Sequence, residues 1–387
     1  GITMKLKKFF AGVLAAAMML TVGATAVLAD GPATDTTTGS SQTVPADIDL
    51  GIKKNYKVEK GTAPKEDFTF AVTYVPDKSK PYTTAYTGYD GTYKQPKASE
   101  TATASFESNM DAQAEAYQAS LGIKISDFEL PDGPGKYCFE IKENVPTNKT
   151  PGVTYDETTR YLVITVANND ALNGYVYYAQ LYDATYNPAS SIKDKATGTK
   201  VDGANAFTNT YTANNVVISK DIKGGLGDLA AKFTFKVKLT YANGKTATQY
   251  VGAKVTEYDG VTENVKGQVW AIDGTTEHEI SLGRNKSITL TNLPEGVTVT
   301  VEEIDGDEYT VTKSDDTTGT LENSTITATI SKVNDALVDG KIGFINTKEG
   351  VPDTGVILDN APYIALLAIV AIGGVALMLN KRRRDEE

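Results

Sequence analysis

From about residue 47 to residue 350 the chain is a series of short stretches in which apolar and polar residues alternate. Examples are FTFAVTYV at 68–75, KYCFEIKE at 136–143 and RYLVITVA at 160–167. A period of two places the apolar side chains on one face of a strand, and turn residues separate the stretches. The pattern therefore predicts an all-β protein built of antiparallel strands with one buried face. Only 112–121, in MDAQAEAYQASLG, suggests a short helix or a loop excursion.

The N-terminal segment predicts export. After Met4 a basic cluster of lysines precedes an apolar stretch that reaches Leu28 and ends on the small residue Ala29. This order is that of a secretory signal peptide, so we assign 1–29 to it, with cleavage after Ala29. An N-terminal transmembrane helix is the alternative, but the small-residue end and the polar stretch at 30–46 favour cleavage. The 30–46 stretch is rich in Thr, Ser and Gly and is predicted to be a disordered leader.

The C-terminal segment, 351–387, combines a short peptide, an apolar run and a basic end. The run Tyr363–Leu379 has 17 uncharged residues, near the lower limit for a membrane-spanning helix, and Lys381–Arg384 follows it on the expected cytoplasmic side. A plain membrane anchor is one interpretation. The preceding VPDTG, which is Val351, Pro352, Asp353, Thr354 and Gly355, resembles the LPxTG-type cell-wall sorting signal of Gram-positive surface proteins. That resemblance implies cleavage between Thr354 and Gly355 by a sortase, which transfers the new carboxyl end to an amine.

Composition excludes several classes of function. The net charge of −11 disfavours nucleic acid as a partner, because binding to phosphates needs basic patches. Cys138 is the single cysteine, so an intramolecular disulfide cannot form, and its place in a strand pattern predicts a small buried residue. His278 is the single histidine, has no second histidine for a zinc site and has no G-x-S-x-G turn beside it. A surface hydrolase is therefore disfavoured, and we predict no metal and no cofactor.

An internal repeat divides the remaining chain into two predicted β-sandwich domains, 47–211 and 212–350. Each copy has a lysine at the end of its first strand, then a Phe-Thr-Phe stretch, a glutamate that ends a central strand and an asparagine in its last strand. The separation from lysine to glutamate is 89 residues in one copy and 83 in the other, and that from glutamate to asparagine is 66 and 43. The repeated residues are Lys54, Glu143 and Asn209 in the first copy and Lys220, Glu303 and Asn346 in the second.

Strand alternation directs all three residue types of each triplet towards the core. Burying separate charges is very costly, so desolvation should lower the lysine pKa and raise the glutamate pKa. A neutral amine is a nucleophile, and a protonated glutamic acid can polarise an amide carbonyl. An asparagine beside both could be attacked at its carbonyl carbon and lose ammonia, which would leave a Lys–Asn amide. The alternative is an ordinary strand end whose lysine and asparagine face solvent.

With these triplets the chain resembles the two-domain major pilins of Gram-positive pili, of the streptococcal FctA type. Segments such as Leu293-Pro294-Glu295-Gly296-Val297 also match that family. Domains of the family are immunoglobulin-like and carry self-formed intramolecular isopeptide bonds. The resemblance therefore implies two tandem immunoglobulin-like domains, with a Lys54–Asn209 bond formed with Glu143 and a Lys220–Asn346 bond formed with Glu303.

The same resemblance implies a function that is structural and not enzymatic: the backbone subunit of a sortase-assembled, wall-anchored pilus that supports adhesion. Its expected partners are the sortase, further copies of the chain, minor pilins, peptidoglycan and host ligands. The expected acceptor lysine for polymerisation is Lys200, followed by Lys193 and Lys195, and each is also readily explained as a solvated surface lysine. A monomeric wall-anchored adhesin or stalk is the alternative. The Tyr-rich segment 82–93 fits a variable loop better than a contact surface.

Overall fold

The computed structural model describes residues 46–81, 95–131, 133–169, 174–190, 194–241, 252–260, 264–333 and 336–350. The predicted signal peptide, nearly all of the leader, the Tyr-rich segment and the sorting signal lie outside these residues. Within them the chain is built of β-strands with short 3₁₀ helices at Pro76–Lys78, Ile125–Phe128 and Gly203–Asn205, which confirms the all-β prediction. No helix of the described part is long and apolar enough to cross a membrane.

The first half of the described chain, from residue 53 to residue 212, forms two main sheets. Its strands are β1 (Lys53–Lys60), β2 (Thr62–Ala63), β3 (Glu66–Tyr74), β4 (Lys80–Pro81), β5 (Ser99–Phe106), β6 (Met110–Asp111), β7 (Tyr117–Ser120), β8 (Gly135–Glu143), β9 (Val153–Thr154), β10 (Thr159–Asn169), β11 (Gly174–Tyr182) and β12 (Phe207–Thr212). One sheet has the order β7-β1-β12-β9 and the other the order β11-β10-β8-β3-β5, with β4 paired to β8. The first and last strands, β1 and β12, are parallel neighbours.

The second half, from residue 214 to residue 347, repeats this plan. Its strands are β13 (Asn214–Lys223), β14 (Lys232–Tyr241), β15 (Ala253–Tyr258), β16 (Val269–Trp270), β17 (Glu277–Gly283), β18 (Lys286–Leu293), β19 (Val297–Glu303), β20 (Thr310–Lys313), β21 (Thr320–Glu322), β22 (Thr325–Thr329), β23 (Lys332–Val333), β24 (Ala336–Leu337) and β25 (Gly340–Thr347). The sheets have the orders β16-β15-β18-β13-β25-β20 and β17-β14-β19-β22-β21. Again the first and last strands, β13 and β25, are parallel neighbours.

Each half has its own apolar core between its two sheets, because most inward residues of the central strands are apolar. In the first core Tyr56 packs edge to face on Phe68 and Phe106, with ring centroids 5.1 and 5.4 Å apart. In the second core Phe235 packs on Phe344 at 5.1 Å. Burial of this kind stabilises by about 25 cal/mol for each Å² of apolar surface removed from water. The cores therefore fix which side chains of the strands point inwards.

The helix suggested for 112–121 is wrong. Residues Tyr117–Ser120 form strand β7, which pairs antiparallel with β1 so that Tyr117 lies opposite Tyr56. The alanines of this stretch favour a helix by only a few tenths of a kcal/mol per residue. The backbone groups along the free side of β1 need partners, and a paired strand supplies them. Tertiary pairing thus outweighs local propensity here.

The two halves meet through polar contacts around one buried asparagine. Only Ala213 separates β12 from β13. The Asn292 side chain, on a residue that is 1% exposed, accepts hydrogen bonds at Oδ1 from the Thr62 backbone N–H at 2.9 Å and from the Tyr211 hydroxyl at 3.1 Å. Gly61 lies against it with φ +92°, and a Cβ there would stand 2.5 Å from the same oxygen. A short junction and a shared buried acceptor therefore tie the two halves directly to each other.

Candidate functional site

The first triplet is assembled across the core of the first half from both sheets. Lys54 lies on β1 and Asn209 on β12, and the parallel register sets Tyr56 opposite Asn209. Lys54, two residues earlier, therefore shares the inward face with Asn209. Glu143 ends β8 in the facing sheet, opposite Phe70. The three residues are 0%, 0% and 8% exposed for Lys54, Asn209 and Glu143, so the inward orientation expected from alternation is confirmed.

Each side chain of this triplet lies within hydrogen-bond distance of the other two. Lys54 Nζ lies 2.5 Å from Glu143 Oε2 and donates to Asn209 Oδ1 at 2.6 Å. Asn209 Nδ2 donates to Glu143 Oε1 at 2.6 Å. One detail differs from the sequence-based expectation, because Lys54 is the second residue of β1 and not its end. The strand continues beyond it since Tyr56 and Val58 keep the same inward alternation.

The second triplet occupies the same register in the second half. Ile222 lies opposite Asn346 in the parallel pair, Lys220 precedes it by two residues, and Phe235 lies opposite Glu303 in the facing sheet. Lys220 Nζ donates to Glu303 Oε1 and Oε2 at 3.1 and 3.0 Å, and Asn346 Nδ2 donates to Glu303 Oε1. All three residues are at most 4% exposed. Equal placement relative to the strand register means that the two sites are built by one plan.

Phenylalanine rings flank each lysine and exclude water from it. Lys54 Nζ lies 5.2 and 5.6 Å from the ring centroids of Phe68 and Phe70. Lys220 Nζ lies 4.1 and 5.6 Å from those of Phe233 and Phe235. In the sequence these Phe-Thr-Phe stretches mark the internal repeat. Their recurrence at a matched distance after each lysine was the available signal that both rings belong to the site.

Burial shifts the ionisation of these groups in the direction that favours their neutral forms. Desolvation lowers the pKa of Lys54, although the Glu143 carboxyl opposes this shift. Desolvation also lowers the pKa of Lys220 to about 8, again against the effect of Glu303. In the other direction, desolvation raises the pKa of Glu143. A buried pair with such shifts can exist as amine and carboxylic acid, and not only as two ions.

The arrangement has the parts needed for attack of an amine on an amide. In the first triplet the lysine nitrogen lies beside the asparagine carboxamide, and in both triplets the glutamate contacts the lysine nitrogen and the departing Nδ2 group. A carboxyl in that position can receive a proton from one nitrogen and supply one to the other. Burial holds the three groups in one geometry, which lowers the entropic cost of reaction. The triplets are thus chemically competent for forming a Lys–Asn amide with release of ammonia.

Reaction in the second half should depend on pH through Lys220. Below its pKa of about 8 the amine binds a proton and loses its nucleophilic lone pair, so the rate should fall as the pH is lowered through this value. Freshly synthesised chain is transferred to buffers between about pH 6 and pH 9, and loss of ammonia from the second half is followed by peptide mass. A rate that does not change across this range would show that protonation of the amine does not limit the reaction.

The other residues predicted from the sequence are not part of the two buried triplets. Lys200 is exposed and its backbone forms an isolated bridge with Tyr182, while Lys195 is exposed in the preceding loop. Lys193 and the peptide 351–355 lie outside the described residues. Cys138 is fully buried and burial raises the pKa of its thiol to about 12, which fits the predicted apolar role. Within the described residues, no group of three or more His, Cys, Asp or Glu side chains could hold a metal ion.

Comparison with known families and proteins covers both halves. Residues 50–212 match the FctA family, described as a Spy0128-like isopeptide containing domain. Residues 214–336 match a domain of unknown function, DUF7601. A curated pilin of Streptococcus pyogenes serotype M1 is 28% identical over 363 residues, which covers 89% of this chain and 94% of that protein.

Among solved structures, the crystal structure of the major pilin from Streptococcus pyogenes aligns with a TM-score of 0.48 and 22% identity, covering 77% of this chain and 98% of that one. The pilus-presented adhesin Spy0125 (Cpa) aligns with a TM-score of 0.28 and 21% identity, covering 49% of this chain and 37% of that one.

Proposed function

Because residues 50–212 match the FctA family and most of the chain is similar to a curated pilin, we propose that it is the backbone subunit of a sortase-assembled pilus, with an isopeptide bond in each of two immunoglobulin-like domains. The domains are 47–211 and 212–350. The proposed role is structural, that of a pilin. The single observation that carries the proposal is the pair of buried Lys–Glu–Asn triplets at one register in both halves. Ordinary strand ends would leave such lysines in solvent.

Each proposed bond would connect the first and last strands of its domain. These strands are adjacent and parallel, and the chain enters the first domain on β1 and leaves it on β12. A pulling force would then pass between neighbouring strands through the bond and would not peel the sheets apart. The Lys54–Asn209 link closes a loop of 155 residues, and the chain-entropy account developed for disulfides gives about 5 kcal/mol for a loop of this length. A chain with one cysteine would thereby gain cross-links that reductants do not break.

Polymerisation is proposed to use the sorting peptide. A sortase would cleave after Thr354 and join its carboxyl to a lysine of the next copy, for which Lys200 is the first candidate. Its exposure supports this choice, because an acceptor amine must reach the enzyme. The last subunit would be joined to peptidoglycan, and minor pilins would be added by the same chemistry. Host ligands would meet the assembled pilus at the cell surface.

The intact mass of recombinant 30–354 tests the intramolecular bonds. Each Lys–Asn amide releases one ammonia, so the mass should be lower than that of the sequence by two ammonia molecules. Tandem mass spectra of digests should show Lys54 joined to Asn209 and Lys220 joined to Asn346. An unshifted mass would refute self-cross-linking in this chain.

Replacing the acceptor lysine should abolish the polymer. Cell-wall extracts of the producing bacterium should show a ladder of high-mass species, and Lys200→Ala should reduce it to monomer because no amine then accepts the Thr354 carboxyl. Immunoblots of the extracts measure the ladder. Lys195→Ala is the comparison variant, since Lys195 is also exposed, in the preceding loop, and loss of the ladder there instead would identify Lys195 as the acceptor. A single band in the unsubstituted strain would instead indicate a monomeric wall-anchored adhesin.

A further inference from the structure

One backbone donor points at a reacting atom of the first triplet. The Asp156 N–H donates to Asn209 Oδ1 at 2.6 Å, and Lys54 Nζ donates to the same oxygen at 2.6 Å. If the amine attacks the carboxamide carbon, this oxygen acquires the negative charge of the tetrahedral intermediate. A donor that is already in place there stabilises charge as it develops, without reorganisation.

The position of this donor follows from where strand β9 ends. Its last pair with β12 sets Thr154 opposite Thr210, so the ladder stops before the level of Asn209. The chain then turns, and the N–H of Asp156 is free to meet a side chain instead of a neighbouring strand. Tyr155, between the two, is buried in the core and its hydroxyl accepts from the Thr150 N–H at 3.1 Å.

The side chain of Asp156 holds its own backbone in place. Its Oδ2 accepts from the backbone N–H of Thr208, the residue before Asn209, at 2.7 Å. Its Oδ1 accepts from the N–H and the hydroxyl of Thr158 at 2.9 and 2.5 Å. These hydrogen bonds therefore fix the shape of the turn and hold it against β12, the strand that carries Asn209.

The second half has no such donor among its described residues. Strand β20 continues past the asparagine, with Val311 opposite Asn346 and Thr312 opposite Ile345. The chain at this level is thus engaged in a regular ladder. Asn346 Oδ1 is buried and has no hydrogen-bond partner in the described part of the chain. A buried polar atom without a partner is rare enough in folded proteins to need an explanation.

From this contrast we propose that the Asp156 N–H is the oxyanion donor for the first bond, and that the first half therefore cross-links before the second. The inference rests on the proposed function, because it concerns one step of self-cross-linking. The neutral Lys54 nitrogen attacks the Asn209 carbon, and the C=O electron pair moves to Oδ1, where the Asp156 N–H holds it. Glu143 gives its proton to Nδ2, ammonia leaves as the C=O bond re-forms, and Glu143 takes a proton from Nζ. The Glu143 carboxyl group is therefore protonated again at the end of the reaction.

The rate of each bond in pulse-synthesised full-length chain tests the proposal. Samples are quenched in acid over time, and digests report the cross-linked fraction of each half by peptide mass. Asp156→Pro removes the N–H donor, and the first bond should form about 10²- to 10³-fold more slowly, as when an oxyanion-hole donor is lost. Asp156→Ala keeps the N–H but loses its anchor, so it should slow the reaction less, and Asp156→Asn should restore most of the rate. The second bond of the same molecules should keep its unsubstituted rate.

Asp183→Ala is the matched control. Asp183 forms the same kind of turn, with Thr185 N–H and hydroxyl on its Oδ1, but it makes no described contact with the triplet. It should leave both rates unchanged. If the proline variant does not fold, as judged by circular dichroism, the comparison of Asp156→Ala with Asp156→Asn carries the test.

Equal first-bond rates in the folded Asp156 variants and the unsubstituted chain would overturn the oxyanion role. A second bond that forms before the first in the unsubstituted chain would overturn the proposed order. If the unsubstituted chain never loses ammonia from its first half, the proposed function itself fails, and this result is distinct from both of the others.

Discussion

Glu143→Ala should leave the first intramolecular bond unformed while the second still forms. The purified variant, corrected for the substitution, should then be heavier than the parent by one ammonia. Because the carboxyl contacts both the lysine nitrogen and the asparagine Nδ2, its loss removes the group that transfers protons between them. Glu303→Ala should have the mirror effect in the second half, where the carboxyl makes the same two kinds of contact.

The loss of stability should be large because a 155-residue loop is no longer closed. The chain-entropy account gives about 5 kcal/mol, which corresponds to a fall of about 10–20 °C in the melting temperature of a domain of this size. Scanning calorimetry should show one transition moved down and the other nearly in place. The intact domain thus serves as an internal reference.

Neighbouring glutamates provide matched controls. Glu140 lies on the same strand as Glu143 but is partly exposed and pairs with Lys142 at 3.0 Å, and Glu302 is exposed beside Glu303. Alanine at either position should leave the mass and both transitions unchanged. Formation of both bonds in Glu143→Ala and Glu303→Ala would rule out the proposed role of the carboxyl groups.

Lys54→Met should destabilise the first half more than Asn209→Ala, although each variant lacks the bond. Asn209→Ala keeps the Lys54–Glu143 pair at 2.5 Å with both side chains fully buried. Lys54→Met leaves Glu143 buried without its cation, and breaking a buried pair in this way costs about 3–5 kcal/mol. Urea denaturation of the two variants measures the difference in free energy of unfolding.

The double variant Lys54→Met with Glu143→Leu should recover the stability that Lys54→Met alone loses. Replacing a whole buried pair by apolar residues of similar volume is often neutral, or stabilising by about 1–4 kcal/mol. Lys53→Met controls for removal of a positive charge from the same strand, because Lys53 points outwards and bonds only an exposed Gln118 among the described contacts. Equal stability of Lys54→Met and Asn209→Ala would show that the unreacted pair contributes no favourable interaction.

The strand pattern predicted the fold class, and the internal repeat predicted the residues of the candidate site. Alternation in stretches such as 136–143 predicted the β-fold, because a period of two leaves each strand one apolar face. The repeat then selected six residues from two copies, and all six are buried in the structure. The stretch 112–121 was misread because its alanines favour a helix locally, whereas the pairing of Tyr117–Ser120 with β1 is a contact between residues far apart in sequence.

The residue types of the site, and the face of the strand on which each lies, can be read from the sequence because both follow from local order. The surroundings of these residues depend on how distant strands pack together. The rings of Phe68 and Phe233 reach the lysines because two sheets face each other, and the Asp156 N–H reaches Asn209 because β9 ends early. Those contacts depend on strand pairing and register between distant segments, which no local pattern encodes.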